Sequence, residues 1–490
     1  MPDLITSSIQ INTHWFQENI LNYNDDVKQF ALHYNVRKGH LTGVFLYRQG
    51  HTDLERIEKK LLTLLEECLT HPPLPSSLDE LVQQLKQPDV LAKTSWSETI
   101  PLLFQGQAVI LIDTFEGALV VDETITTGRM PDEPPIETSV RGPRDGFVEE
   151  LTINLSLVRK RLPTEQLACE IYTIGTRSKT KIALMYLRGT AKPKLVNTIR
   201  DRLNHIDIEL LAGPANLEEY LEDKGFSFFP KLDFTERPQR AVYALNEGRI
   251  ALLIDGNPVA ILAPVTLWKQ LVAVDDYLDR YPISFLTRPL RVIGIAIALF
   301  LPALYVAGTE YHQDTIPIFL LISLVSAHKG VPFPTPLETL VMLIMFELFR
   351  EAGLRLPRVA GQTIGILGTV VVGDAAVRAG IAGTMVIVVI GVTAVATFAV
   401  PNYSLASAVS IMRILILLMA SVFGYIGLVI SVIFIIGHLA NLRPFGVPYL
   451  APFSPFIKRD WTDAIIRAKW TKLNHPKEHL TSEYNKPKRG

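Results

Sequence analysis

The chain has 490 residues, a nearly balanced charge (48 Lys and Arg against 49 Asp and Glu, net −1) and two cysteines, Cys68 and Cys169. That length allows two to four domains. The balance excludes a globally basic nucleic-acid binder, and two cysteines so far apart exclude a disulfide framework and a cysteine zinc site. The composition divides in two: residues 1 to about 285 carry the mixed charges of a soluble protein, while 289–455 are strongly apolar and precede a basic tail.

The opening MPDLITSSIQINTHW lacks a basic stretch followed by an apolar run, so it does not read as a secretory signal. The N-terminal region is expected to stay in the cytoplasm, with the first membrane helix directing insertion. Two pairs of segments echo each other. GQAVILIDTFEGALVV from Gly106 matches GRIALLIDGNPVAILA from Gly248, and VFLYRQGHTDLERIEKKL (44–61) matches LMYLRGTAKPKLVNTIRDRL (184–203). Leu46 and Leu187 stand 141 positions apart, Gly106 and Gly248 142. Two echoes in register imply an internal duplication. The expected fold is therefore an α+β cytoplasmic region of two duplicated α/β lobes, followed by a multi-pass α-helical membrane domain. The boundaries are a segment at 1–29, lobe 1 at 30–130, a linker and helix at 131–164, lobe 2 at 165–285, a membrane domain at 286–455 and a basic cytoplasmic tail at 456–490.

The linker carries a turn-rich loop, Arg141-Gly142-Pro143-Arg144-Asp145-Gly146, with a helix expected from near Phe147. Arg141, Arg144 and the run Arg159-Lys160-Arg161 suit an anionic headgroup or phosphate. The reading with more weight, for the loop and the run alike, is a lobe or subunit interface, with Arg141, Arg144 and Asp145 as its loop candidates, since basic loops are commonly solvated or paired. GTRSKTKIA (175–183) lacks the Gly-Lys-Ser/Thr ending of a P-loop. Its S-x-x-K, Ser178 to Lys181, leads into a strand and lacks the companion motifs of penicillin-binding enzymes. The eleven histidines form no metal pattern. No catalytic constellation, metal site or cofactor fingerprint is expected, and the chain does not read as an enzyme.

In the apolar half a crossing helix needs about 20 residues. Pro289–Gly308, Ile381–Val400 and Ala408–Gly437 meet this, with Arg288 and Arg291 expected to snorkel to the cytoplasmic interface. The stretch 316–352 is irregular. IPIFLLISLVSA is too short to span, and the following helix opens with an expected capping box, Thr335 to Glu338. That helix reads as re-entrant, interfacial or buried. A cytoplasmic N-terminal region and basic tail call for an even number of crossings.

Charged residues in this half ask for a reason, since an aspartate or arginine at the bilayer centre costs roughly 2.5–3.5 kcal/mol on insertion scales. Between Val359 and Leu442 the charged side chains are Asp374, Arg378 and Arg413. If 361–380 is a helix, Thr363, Leu367, Val370 and Asp374 form one stripe with Ile366 at its edge. In a symmetric homo-oligomer that stripe would line an axis, with an apolar constriction followed by an acidic ring. The architectural alternative is an intrahelical bridge from Asp374 to Arg378, at the favoured i,i+4 spacing. Glu338, Glu347, Arg350, Glu351, Arg378 and Arg413 together read as an intramembrane charge network, in which Glu347 and Arg350 would bridge packed helices and Arg413 would pair or snorkel.

VRGPRDGFVEELTINLSLVRKRL, GTRSKTKIALMYL, DFTERPQRA, GVPFPTPLETLVMLIMFELFREAGLRLP and GQTIGILGTVVVGDAAVRAGIAG, ordered along residues 28–470, together resemble the A subunits of GerA-type spore germination receptors. The resemblance implies a protein of the spore inner membrane with a large cytoplasmic N-terminal region. It implies a transporter-like B subunit that binds the nutrient, a lipoprotein C subunit, and a ring of A subunits forming a nutrient-gated cation channel. On that footing the stripe Thr363, Ile366, Leu367, Val370, Asp374 is the leading pore candidate. The competing reading is a non-conducting scaffold that clusters sensor subunits and relays their signal to a separate channel.

Overall fold

Strand pairing in the N-terminal half is antiparallel throughout and repeats itself. β1 (Val27–Val36), β2 (Gly39–Arg48), β3 (Val90–Lys93), β4 (Ala108–Ile112) and β5 (Ala118–Val121) form one sheet in the order β1-β2-β4-β5-β3. β6 (Leu167–Ile174), β7 (Thr180–Leu187), β8 (Asp233–Thr235), β9 (Ile250–Ile254) and β10 (Ala260–Ala263) form a second in the order β6-β7-β9-β10-β8. The computed structural model describes residues 4–36, 39–50, 52, 56–71, 75–122, 133–134, 137, 142–223, 225–273, 275–328, 330–355, 373–461, 463–468 and 480–481. Its chain divides into two units, Met1–Asp223 with Leu232–Pro264 and His475–Gly490, and Lys224–Lys231 with Val265–Asn474.

The region is α+β as expected, and within it each lobe, expected as α/β, is built on an antiparallel sheet in which hairpins such as β1–β2 and β4–β5 connect successive strands. Their central strands are apolar on both faces. In β4, Val109 and Leu111 pack with Phe16, Trp96, Ile100 and Phe104 on one side. Ala108, Ile110 and Ile112 pack with Leu61, Leu65, Leu81 and Leu85 on the other. Each buried Leu, Ile or Phe contributes about 1.5–3 kcal/mol, which explains the uninterrupted AVILI and IALLI runs.

The repeated segments begin with glycine for a local reason. Gly106 follows the helix Trp96–Gln105 and Gly248 follows Pro238–Asn246, with φ +106° and +91°. Gln107 N donates to Leu102 O at 3.1 Å and Arg249 N to Ala244 O at 3.0 Å, closing both helix ends through a left-handed residue.

The aspartate of each Leu-Ile-Asp serves the opposite helix end. Asp113 Oδ1 accepts from Ile9 N and Asp255 Oδ1 from Leu151 N, each at 3.2 Å and each 104 residues away. Asn12 and Asn154 clasp the preceding turns in the same manner, through Thr6 and Val148. The helix Ile9–Asn19 therefore belongs to the first lobe's packing, and Leu151–Arg161, starting later than Phe147, to the second's. The S-x-x-K serine, Ser178, donates to Ile174 O in the turn before β7. Within this same unit Thr481 forms a β-bridge with Ala191, and Leu480 is buried at 1% exposure.

Among the described residues of the second unit, two helices are long and apolar enough to cross a membrane, Tyr281–Glu310 and Tyr403–Asn441. They enclose the expected spans Pro289–Gly308 and Ala408–Gly437. The longer one breaks at Gly424, whose φ of +59° and ψ of −139° are not helical. The expected span Ile381–Val400 is corrected: its helix is Thr384–Phe398, 15 residues, or about 22 Å at 1.5 Å per residue, short of the roughly 30 Å hydrocarbon core. Ile318–Ala327 and Thr335–Arg355 complete the irregular stretch. The capping box does not form, because Thr335 N donates to Glu310 Oε1 at 3.1 Å while Glu338 Oε1 accepts from Gly383 N.

Candidate functional site

Charges in the helical unit sort into four groups. Arg413, with no exposed surface, reaches the Glu347 carboxylate through Nη2, Thr397 Oγ1 at 2.9 Å and Ser410 Oγ at 3.1 Å. Arg350 Nη2 lies 2.8 Å from Glu347 Oε2, and its Nη1 donates to Ser410 Oγ at 3.0 Å. One carboxylate thus joins two guanidiniums, and the face of Phe346 lies 5.8 Å from the Arg413 guanidinium carbon. Arg413 is paired, not snorkelling, since three elements supply its partners where it stands. Glu351, on the same helix as Glu347 and Arg350, is exposed.

Glu338 stands in a second group, on Gly383 N and near His328, whose Nε2 lies 3.4 Å from its Oε2. The third is the i,i+4 pair Asp374–Arg378, with Nε 2.8 Å from Oδ2 and side chains 56% and 79% exposed. It occupies the short helix Gly373–Arg378. Of the pore candidates, Asp374 is described; Thr363, Ile366, Leu367 and Val370 lie outside the described residues.

The fourth group corrects the snorkelling expectation for Arg288 and Arg291. Arg288, 2% exposed, contacts Asp463 Oδ1 at 2.8 Å and Asp276 Oδ2 at 3.2 Å, and Arg291 contacts Asp276 Oδ2 at 2.6 Å. Arg467 of the basic tail is buried too, donating to Asp279 O at 2.6 Å. Local aspartates provide the counter-charge that a lipid interface would otherwise supply.

In the N-terminal unit, Asp145 pairs with Arg161, Arg144 is largely exposed near Glu133, and Arg141 lies outside the described residues. The two lobes meet through Arg159. Its Nε and Nη2 grip both Asp26 oxygens at 2.9 and 2.8 Å, Nη2 reaches Asn24 Oδ1 at 2.8 Å, and Nη1 reaches Leu167 O at 3.0 Å. Phe104 stacks on the guanidinium at 4.3 Å. Burial pushes the Asp26 carboxyl up, but the charge and hydrogen bonds of Arg159 outweigh it and hold the group below its ordinary range. Asp25 N adds a bond to Cys169 O at 2.9 Å. Sequence spacing gave no sign of this 133-residue pairing; the one available signal was Arg159 within an apolar helical repeat. Among the described residues no group of three or more His, Cys, Asp or Glu is placed to hold a metal ion.

Two antiparallel lobes thus precede a helical unit in which, among the described residues, two helices are long and apolar enough to cross a membrane and several charges are paired internally. By sequence the chain belongs to the GerA family, the Bacillus/Clostridium GerA spore germination proteins, whose model matches residues 16–478. It is 35% identical over 464 residues to spore germination protein B1 of Bacillus subtilis (strain 168), covering 94% of this chain and 95% of that one. To spore germination protein KA of the same organism it is 35% identical, over 88% and 79% of the two chains. It is also 38% identical, over 88% and 84%, to the Bacillus subtilis (strain 168) protein named Uncharacterized membrane protein YfkQ. A crystal structure of the N-terminal domain of the A subunit of the Bacillus megaterium spore germinant receptor GerK3 aligns at 27% identity and TM-score 0.42, covering 53% of this chain and 96% of that one.

Proposed function

We propose that the chain is the A subunit of a nutrient-responsive spore germination receptor and forms an oligomeric, gated cation channel in the spore inner membrane. Its N-terminal lobes lie in the cytoplasm, a multi-pass helical domain follows, and B and C subunits are its partners. Family membership supports the germination role. The observation that carries the pore assignment is the Asp374 carboxylate, paired with Arg378 yet more than half exposed, in a stretch whose other side chains are uncharged. A charge there requires water or a neighbouring subunit, since hydrocarbon does not solvate it. In a ring, Asp374 would form an acidic vestibule at one end of the stripe and Thr363 a polar position at the other, with Ile366, Leu367 and Val370 between them as the apolar constriction whose dewetting keeps the resting pore shut.

Potassium efflux from liposomes containing the full chain tests this, with wild type beside Val370→Ala. Wild type is expected to be silent and Val370→Ala to leak, with oligomers intact in both. Silence from both intact oligomers rejects the pore and favours the scaffold. Asp374→Arg in the leaking background should lower cation over anion permeation. Recovery of the original selectivity on adding Arg378→Asp would reduce the pair to an architectural bridge.

A further inference from the structure

Between the helix Pro214–Leu221 and β8 the chain runs GFSFFPK, residues 225–231. By sequence this stretch lies within lobe 2, yet it belongs to the helical unit. Its contacts there are specific. Ser227 Oγ lies 3.0 Å from His438 Nε2 and accepts from Phe229 N at 3.1 Å. Phe229, 5% exposed, shares a core cluster with Leu439 and Tyr449, and its ring centre stands 6.2 Å from that of His438. Gln270 Nε2 donates to Pro230 O at 3.1 Å.

The other two phenylalanines of the loop are left uncovered. Phe226 is 79% exposed and Phe228 38%, and their rings meet edge to face with centres 4.6 Å apart. A single apolar side chain on a surface needs no explanation, but an aromatic pair on a pinned loop does. Its place along the helix Tyr403–Asn441 supplies one. His438 directly follows the apolar run Ala408–Gly437. Phe434, 73% exposed, stands one turn before His438 on the same face, and Ile430, 47% exposed, one turn before that. In a spanning helix that stripe faces lipid, so Ser227 meets the helix where its lipid-facing stripe ends. Arg443, exposed just past the helix end, suits the headgroup level.

We infer that Phe226 and Phe228 form an interfacial anchor, their paired rings entering the headgroup–acyl boundary of the leaflet in which Tyr403–Asn441 ends. The partner is the lipid surface itself. Phenylalanine is among the side chains that interfacial segments bury about 5–10 Å into that boundary, with no need to cross it. A segment that the sequence places in a soluble lobe thereby becomes a lipid contact, separate from the spanning helices. This rests on the membrane-spanning reading of Tyr403–Asn441 and is independent of the pore assignment.

Depth-dependent fluorescence quenching of the full chain in liposomes tests it. In a Cys68→Ala, Cys169→Ala background, Phe226→Cys, Phe228→Cys, Val429→Cys and Phe30→Cys are each labelled with an environment-sensitive fluorophore. Val429, 55% exposed, reports on the span, and Phe30, 61% exposed on β1, on the first lobe. Lipids with a nitroxide near the glycerol end of the acyl chain should remove about half or more of the emission from the labels replacing Phe226 and Phe228. A nitroxide near the methyl end should quench those two less and the label replacing Val429 more, and neither lipid should quench the label replacing Phe30. If the loop labels behave like the one replacing Phe30 while that replacing Val429 is quenched, the anchor is overturned and the span stands. Absence of lipid quenching at Val429→Cys removes the span, and the anchor with it. Loop labels shielded from both lipid nitroxide and aqueous iodide are covered by protein, which also overturns the anchor.

Discussion

Arg159 shows how far one side chain can determine a domain arrangement. Removing it strands Asp26, which is 4% exposed, without its counter-charge, and breaking a buried pair from one side costs about 3–5 kcal/mol. Arg159→Met should therefore lower the unfolding midpoint of the N-terminal unit far more than Arg144→Met, whose side chain is 77% exposed. The same pair sets a pH dependence. The folded-state pKa of Asp26 lies below its unfolded value, so its contribution is complete above the ordinary aspartate pKa of about 3.9 and is lost as pH falls through the lower folded value. Denaturant midpoints measured on acidification through that window should fall more steeply for wild type than for Asp26→Asn with Arg159→Gln. Reading the sequence set the run that holds Arg159 between an anion site and a lobe or subunit contact, with more weight on the contact, but it did not name the partner, because a residue that pairs 133 positions away leaves no local spacing to detect.

At the level of elements, the duplication was legible and its purpose was not. The paired Leu-Ile-Asp strands could be recognised from apolar runs ending in the same residue, and each glycine start has its explanation in a helix end. The aspartates read as turn residues, yet each also caps a helix 104 residues upstream. Asp113→Ala and Asp255→Ala should each cost about 1 kcal/mol, the usual loss for a helix cap. Amide exchange should accelerate in the first turns of Ile9–Asn19 and Leu151–Arg161 respectively, each without change in the other. In the helical unit, Glu347 and Arg350, expected to bridge packed helices, pair with each other at i,i+3 on one helix, while spacing was enough to anticipate the i,i+4 pair Asp374–Arg378. It did not assign Arg413 to Glu347, which lies 66 residues away on another helix. The sequence reading grouped Glu338 with the other intramembrane charges, whereas packing sets it apart on Gly383 and His328.

For the molecule as a whole, Leu480 and Thr481 are structural. Leu480 is buried in the N-terminal unit and Thr481 bridges Ala191, so Leu480→Asp should forfeit about 1.5–3 kcal/mol of burial and speed proteolytic loss of the tail. Composition marked that tail as basic and cytoplasmic, and nothing in a charged run announces one buried leucine. The repeat also carries a polarity. Arg159 projects from the second lobe to Asp26 of the first, while the residue 142 positions before Arg159 is Gln17 and the one 142 after Asp26 is Ala168. Gln17 is exposed and Ala168 is buried. The lobes are therefore joined head to tail by a lock whose two halves occur once each, and both are consumed within the chain. A third lobe from a neighbouring copy would find neither half available. Chains that assemble side by side must be held by other contacts, and the series of lobes ends at two.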